Sequence, residues 1–173
     1  MGREDQIINE RLRKIKELKE QGIDPYPAQS NRTHTVAGAL LDFEKLSQEK
    51  IALTLTGRLK SRRAQGKACF ADLEDETGKL QLFARANDLL PITYNLITEL
   101  LDVGDIVQAT GVLFTTKKGE KTLQLSDIKI LTKSLLPLPE KWHGLEDVEV
   151  RFRQRYLDLI ANPEVREIFR KKS

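Results

Sequence analysis

A single cysteine, Cys69, and two separated histidines, His34 and His143, leave this chain without an internal disulfide or a zinc cluster. A reducing cytoplasmic compartment is therefore the expected setting. No apolar run approaches the roughly 18 residues that a membrane span needs, and residues 1–22 are charged rather than signal-like, so no membrane role is expected. Nucleophile–base pairs, metal-ligand spacings and glycine-rich phosphate loops are missing too, so no catalytic residue and no bound cofactor are expected here. Nor does one sign of charge dominate: 29 Lys and Arg stand against 26 Asp and Glu, a formal net charge of +3, too modest to announce a nucleic-acid binder. What remains is a chain of 173 residues, 39% hydrophobic and 32% charged, long enough for one soluble globular domain with extensions.

Charge distribution says more than its sum. No acidic residue lies between Glu49 and Asp72, yet Arg58, Lys60, Arg62, Arg63 and Lys67 fall inside that interval. The segment 150–173 is also rich in cations. Such runs are more often solvated faces than binding sites, and on their own they decide nothing.

Periodicity divides the chain. Residues 5–21 repeat apolar side chains at helical spacing (Ile7, Ile8, Leu12, Ile15, Leu18), and Gly22 stands where a C-terminal cap belongs, ahead of Pro25 and Pro27. Residues 1–30 are thus an amphipathic helix and turn, and 31–50 a connector with room for a short helix. From 51 to 131 the signal is strands: 51–57 running into the basic stretch, 67–74 and 79–85 joined by a turn at 75–78, then 105–115 and 121–131. A helix at 91–101 interrupts them. In the last strand the apolar parity slips between Leu125 and Ile128, which predicts a bulge or strong coiling.

Three strands, a helix and two strands in about 80 residues is the order of an OB-fold, a five-stranded barrel, here assigned to 51–134. An open α+β sheet or another small barrel would be the alternatives. Residues 135–173 read as a proline-containing linker followed by helices at 147–160 and 163–172. The fold class is mainly β with flanking helices.

Some residues point away from the expected core. Cys69, Ala71 and Leu73 share one face of the second strand and Leu80, Leu82 and Ala84 one face of the third, which leaves Phe70, Gln81, Phe83 and Arg85 on the other. Phe70 could serve a second small core under the N-terminal helix. It could equally stack an unpaired base while nearby cations follow the phosphates, the way OB-folds bind single strands.

Several segments, taken together and in order, resemble one family. They are 22–27 (GIDPYP), 61–70 (SRRAQGKACF), 131–144 (LTKSLLPLPEKWHG), 153–160 (RQRYLDLI) and 162–166 (NPEVR). The chain is similar over 10–173 to the class II lysyl-tRNA synthetases. That resemblance implies an anticodon-binding OB-fold that meets the anticodon stem-loop of tRNA(Lys). By position in the family's motifs, Phe70 would stack on the central anticodon base, while Gln81 and Glu120 would read base edges. Arg63 is the leading candidate for phosphate or base contact, with Arg58, Arg62 and Lys67 beside it. Lys117, Lys118 and Lys121 would line the opposing loop. The family's catalytic domain, with its ATP and magnesium, is not recognisable; 152–155 (FRQR) only superficially echoes its arginine loop. The parent enzymes are homodimers, and a monomer or weak dimer is expected for this portion. The same fold in an aspartyl- or asparaginyl-type enzyme, a sequence-tolerant single-strand binder, and an assembly module are the competing readings.

Overall fold

A computed structural model describes residues 2–138 and 147–173. They form two compact units, Met1–Leu136 and Pro137–Ser173. In the first unit, helix α1 (Arg3–Glu20) precedes two short helices, α2 (Val36–Leu41) and α3 (Phe43–Gln48). Strands β1 (Leu53–Gln65), β2 (Ala68–Glu74) and β3 (Lys79–Arg85) follow. A helix α4 (Pro91–Asn95) runs into a π turn (Leu96–Leu100), and β4 (Ile106–Thr115) and β5 (Lys121–Thr132) complete the barrel. The strands close in the order β1-β2-β3-β5-β4, antiparallel throughout except for the short parallel pairing of β3 with β5. This is the five-stranded OB-fold that the element order predicted.

Leucine builds most of the interior: Leu53, Leu55, Leu59, Leu73, Leu82, Leu123 and Leu125 are all buried inside the barrel, with Ile128 and Ile130. Each such side chain removed from water contributes about 1.5–3 kcal/mol before entropy is counted. β1 is long enough to pair with β4 over Leu53–Arg58 and with β2 over Arg58–Gln65, so it bends from one neighbour to the other. The bend coincides with a bulge: Leu59 faces Leu73 and Ser61 faces Asp72, which leaves Lys60 as the extra residue. A second bulge at Ser126, between Gly111↔Leu125 and Thr110↔Asp127, accounts for the parity slip seen in the sequence. Gly111 is obligatory beside it, because a Cβ there would lie 2.0 Å from the Gln124 carbonyl oxygen.

α1 ends as expected, with Gly22 at φ +74° and the Ile23 N–H donating to the Leu18 carbonyl at 2.9 Å. Its buried residues are not all apolar. Leu18 enters the core, but Arg11 and Lys14 are also buried. Arg11 donates to the carbonyls of Val103, Ser134 and Leu136, and Lys14 reaches Asp102 at 2.7 Å. The fully buried Lys133 bonds Asp102 at 2.6 Å, Asp105 at 2.7 Å and the Leu100 carbonyl at 2.8 Å. This cluster docks α1 against the start of β4 and the end of β5. α1 is therefore not a cover for Phe70, and that reading of Phe70 falls away.

Two expected helices are subdivided. The 91–101 helix keeps its length but unwinds into the π turn. The 147–160 helix breaks at Gln154 into α5 (Val148–Arg153) and α6 (Arg155–Ala161), followed by α7 (Pro163–Lys172). Within that unit Asp158 is buried and accepts from Arg151, Arg155 and Asn162, which ties the three helices to one carboxylate. The second half of the expected linker and His143 lie outside the described residues. Among those described, no helix is long and apolar enough to cross a membrane.

Burial alone would raise the pKa of Asp102, but its hydrogen bonds with Lys133 and Lys14 hold it below the ordinary carboxylate value. Its contribution to stability is therefore complete above the unfolded-state value of about 3.9 and is lost as pH falls through the lower folded value. Urea melts should show stability falling below about pH 4, and an Asp102→Asn variant should be less stable at pH 7 with a shallower acid limb.

Candidate nucleic-acid interface

Cross-strand partners share a face, so the pairings define the outer surface of the barrel row by row. Arg63 pairs with Phe70, Phe70 with Phe83, and Phe83 with Gln124. The adjacent row runs Ser61, Asp72, Gln81, Thr122 and Phe114. The rings of Phe70 and Phe83 lie 4.9 Å apart at 34°, and Phe114 continues the cluster 6.0 Å from Phe83. All three are half-buried, whereas the barrel core behind them is closed. They floor a cleft of about 660 Å³. The β4–β5 loop, with Lys117, Lys118 and Glu120, lines one side, and Arg63, Gln65 and Arg85 line the other.

The loop is held by backbone bonds from Thr116 to Glu120 and from Gly119 to Thr116, both 2.9 Å, with Gly119 at φ +82°. The Glu120 N–H donates to the Thr116 hydroxyl at 3.1 Å, and the Glu120 carboxylate stays exposed. Gln81 is oriented by Thr122, whose hydroxyl donates to its Oε1 at 3.0 Å. With its oxygen engaged, the Gln81 side chain presents its NH₂ group as a donor.

The predicted residues separate into two groups. Phe70, Gln81, Glu120 and Arg63 come together in the cleft, joined by Lys117 and Lys118. Arg58, Arg62 and Lys67 do not. Arg58 donates to the Gly104 carbonyl at 2.7 Å, and Arg62 caps the π turn by donating to the carbonyls of Ile97 and Thr98. Lys67 is exposed beside the β1–β2 turn, away from the aromatic floor. Lys121 likewise turns away, with its ammonium 4.7 Å from the ring of Phe43. The bulge at Lys60 sorts the arginines. Strict alternation from the inward Leu59 would point Arg62 outward and Arg63 inward; the extra residue reverses both, pairing Arg62 with Ala71 and Arg63 with Phe70.

Phe114, Thr116 and Gln65 were not singled out from the sequence. Phe114 was accessible there: Val107, Ala109, Gly111 and Leu113 form the inward set of β4, which leaves Phe114 outward.

Residues 53–131 match the family described as the OB-fold nucleic acid binding domain, of tRNA anticodon type. Residues 53–131 thus make up an OB-fold nucleic acid binding domain of tRNA anticodon type, the stretch of the chain that the family covers. Curated proteins similar to the chain are lysine–tRNA ligases. The chain is 50% identical over 165 residues to that of Carboxydothermus hydrogenoformans, covering 95% of this chain and 33% of the relative. It is 46% identical to the ligase of Pelotomaculum thermopropionicum, over 99% of this chain and 34% of the relative. With the ligase of Wolinella succinogenes the figures are 48%, 98% and 35%. The chain thus spans about a third of the length of the curated relatives it matches.

The division of the arginines is testable by stability alone. Arg62→Met should lower unfolding stability by about 1–3 kcal/mol, because buried carbonyls of the π turn lose their donor. Arg63→Met should leave the unfolding free energy from urea melts within about 0.5 kcal/mol of that of the unaltered chain.

Proposed function

We propose that this chain is the anticodon-reading portion of a lysine–tRNA ligase and that it reads uridine-rich anticodons. The observation that carries this is the convergence of a Phe70–Phe83 stacking floor, the oriented Gln81 amide and the Glu120 carboxylate on one cleft flanked by cations. Phe70 stacks the central base, an interaction worth about 1–3 kcal/mol. The Gln81 NH₂ donates to a uracil carbonyl, and Glu120 accepts from uracil N3–H. Cytosine carries an acceptor at N3, so it would set two acceptors against each other, a penalty of about 1–3 kcal/mol when the pair is desolvated. Arg63, Lys117 and Lys118 follow the phosphates.

Arg58 and Arg62 act behind the site in this reading. Their carbonyl contacts support a role in holding β1 and the π turn rather than in touching RNA. Aminoacyl transfer, with its ATP and magnesium, belongs to the remaining two-thirds of the ligase, and this portion alone performs none. We place it in the cytoplasm. Cys69 supports that setting: it is buried in the core and burial pushes its thiol pKa up, so it persists as an unreactive thiol.

Fluorescence titration with two labelled anticodon stem-loops tests the proposal, one carrying UUU and one with its central uridine replaced by cytidine. The UUU loop should bind about 5–150-fold more tightly. Glu120→Ala should reduce that ratio toward one, whereas Phe70→Leu should weaken both loops by a comparable factor. Affinity should fall steeply with salt, as phosphate contacts require. Equal binding of the two loops by the unaltered chain would instead indicate a sequence-tolerant single-strand binder, and no binding an assembly module.

A further inference from the structure

The cleft extends one row beyond the stacking pair. Along β1, β2 and β3, the outward residues next to Arg63, Phe70 and Phe83 are Gln65, Ala68 and Arg85, and the pairings Gln65↔Ala68 and Ala68↔Arg85 set them side by side. Ala68 is small, so the row is a notch with a methyl floor, walled by an amide on one side and a guanidinium on the other. Gln65 and Arg85 both line the same cleft as Phe70 and both are exposed. Neither side chain has a hydrogen-bond or ion-pair partner among the described residues. Two residues along a strand advance about 6.6 Å, a distance suited to the next nucleotide of an unstacked strand.

We propose that Gln65, Ala68 and Arg85 form a second base-reading subsite for the nucleotide adjacent to the one stacked on Phe70. This rests on the anticodon-reading function proposed above. The base it takes presents a keto oxygen at its exposed edge, which in a uridine-rich loop is uridine. The reason lies in donor and acceptor chemistry. Arg85 offers only donors, so it pairs with uracil O4 but opposes the N4 amino group that cytosine carries at the same position. Gln65 supplies either a donor or an acceptor by rotating its amide, and can meet uracil N3–H with its oxygen while Arg85 engages O4. Arg63, one row back, is left to the phosphate between the two bases.

The obvious alternative is that Arg85 is one more phosphate contact, and the two roles leave different signatures. A base-reading arginine changes sequence preference at one position, whereas a phosphate contact weakens all loops equally and lowers the salt slope. The test measures the full chain and its Arg85→Ala variant against four stem-loops: UUU, and single cytidine replacements at the first, central and third anticodon positions. Arg85 is exposed, and matching thermal melts by circular dichroism will check that the variant is folded.

The expected result is that the unaltered chain disfavours cytidine at one flanking position by about tenfold, and that Arg85→Ala abolishes this preference. Discrimination at the central position should survive in the variant, since it belongs to Gln81 and Glu120. A uniform loss across all four loops with a shallower salt slope would overturn the proposal and make Arg85 a phosphate contact. No flanking preference in the unaltered chain would also overturn it, as would an unchanged preference in Arg85→Ala. Loss of central discrimination by the unaltered chain itself would instead overturn the function on which this subsite rests. The two failures are therefore read from different loops.

Discussion

Closure of the barrel depends on a short parallel ladder in which Gln81, Leu82 and Phe83 of β3 meet Thr122, Leu123 and Gln124 of β5. Without it the five strands would form an open sheet with two free edges, and the outer face would lack its second half. With it, Leu82 and Leu123 seal the core while Gln81 and Thr122 come within hydrogen-bond reach on the outside. The same pairing carries the β4–β5 loop to the edge of the Phe70–Phe83 floor. Residues 70, 81 and 120 become neighbours because the sheet closes, although α4, the π turn and the whole of β4 separate the last two along the chain.

The geometry leaves aromatic and cationic groups where a folded chain alone would not keep them. Three half-buried phenylalanines on the outer face of a barrel whose core is already full of leucine contribute less to stability than they would inside. Cations around them add no favourable pairing within the protein, since Arg63, Arg85, Lys117 and Lys118 have no carboxylate partner among the described residues. A flat unpaired base with a phosphate on each side would complete both arrangements. The acidic exception, Glu120, is exposed at the edge of the cleft, where its negative charge works against general anion binding.

Charges elsewhere serve the fold. Lys133, Asp102 and Asp105 form a buried group in which each ammonium has carboxylate or carbonyl partners, and Lys14 and Arg11 extend it to α1. Breaking such a group leaves a charge stranded, at a cost of several kcal/mol, so it specifies where the helix docks more than it stabilises the whole. α1 is held at the β4–β5 end of the barrel, and the aromatic face is left open. Asp75 does comparable work at the β2–β3 turn: it accepts from the N–H of Val36 at the start of α2 and from Thr77 and Gly78 in its own turn.

Much of this was readable along the chain. Alternation separated the inward Cys69, Ala71, Leu73, Leu80, Leu82 and Ala84 from the outward Phe70, Gln81 and Phe83, because side chains on a strand repeat every two residues. The cap at Gly22, the turn at 75–78 and the slip before Ile128 were equally local, each governed by a few consecutive backbone angles. What the chain order could not supply was anything set by pairing. A bulge is a property of two strands, so the sequence could not say that Lys60 would turn Arg62 toward the π turn and Arg63 toward Phe70. Phe114 follows the inward Leu113 and so faces out, yet only closure brought it beside Phe83, and only closure brought Glu120 to the cleft. In β2 and β3 the sequence by itself determined which residues face out of the barrel; the tertiary structure decided which arginine of β1 faces out past the bulge and which outward residues meet, because bulges and contacts between distant strands follow from register and closure rather than from spacing along the chain.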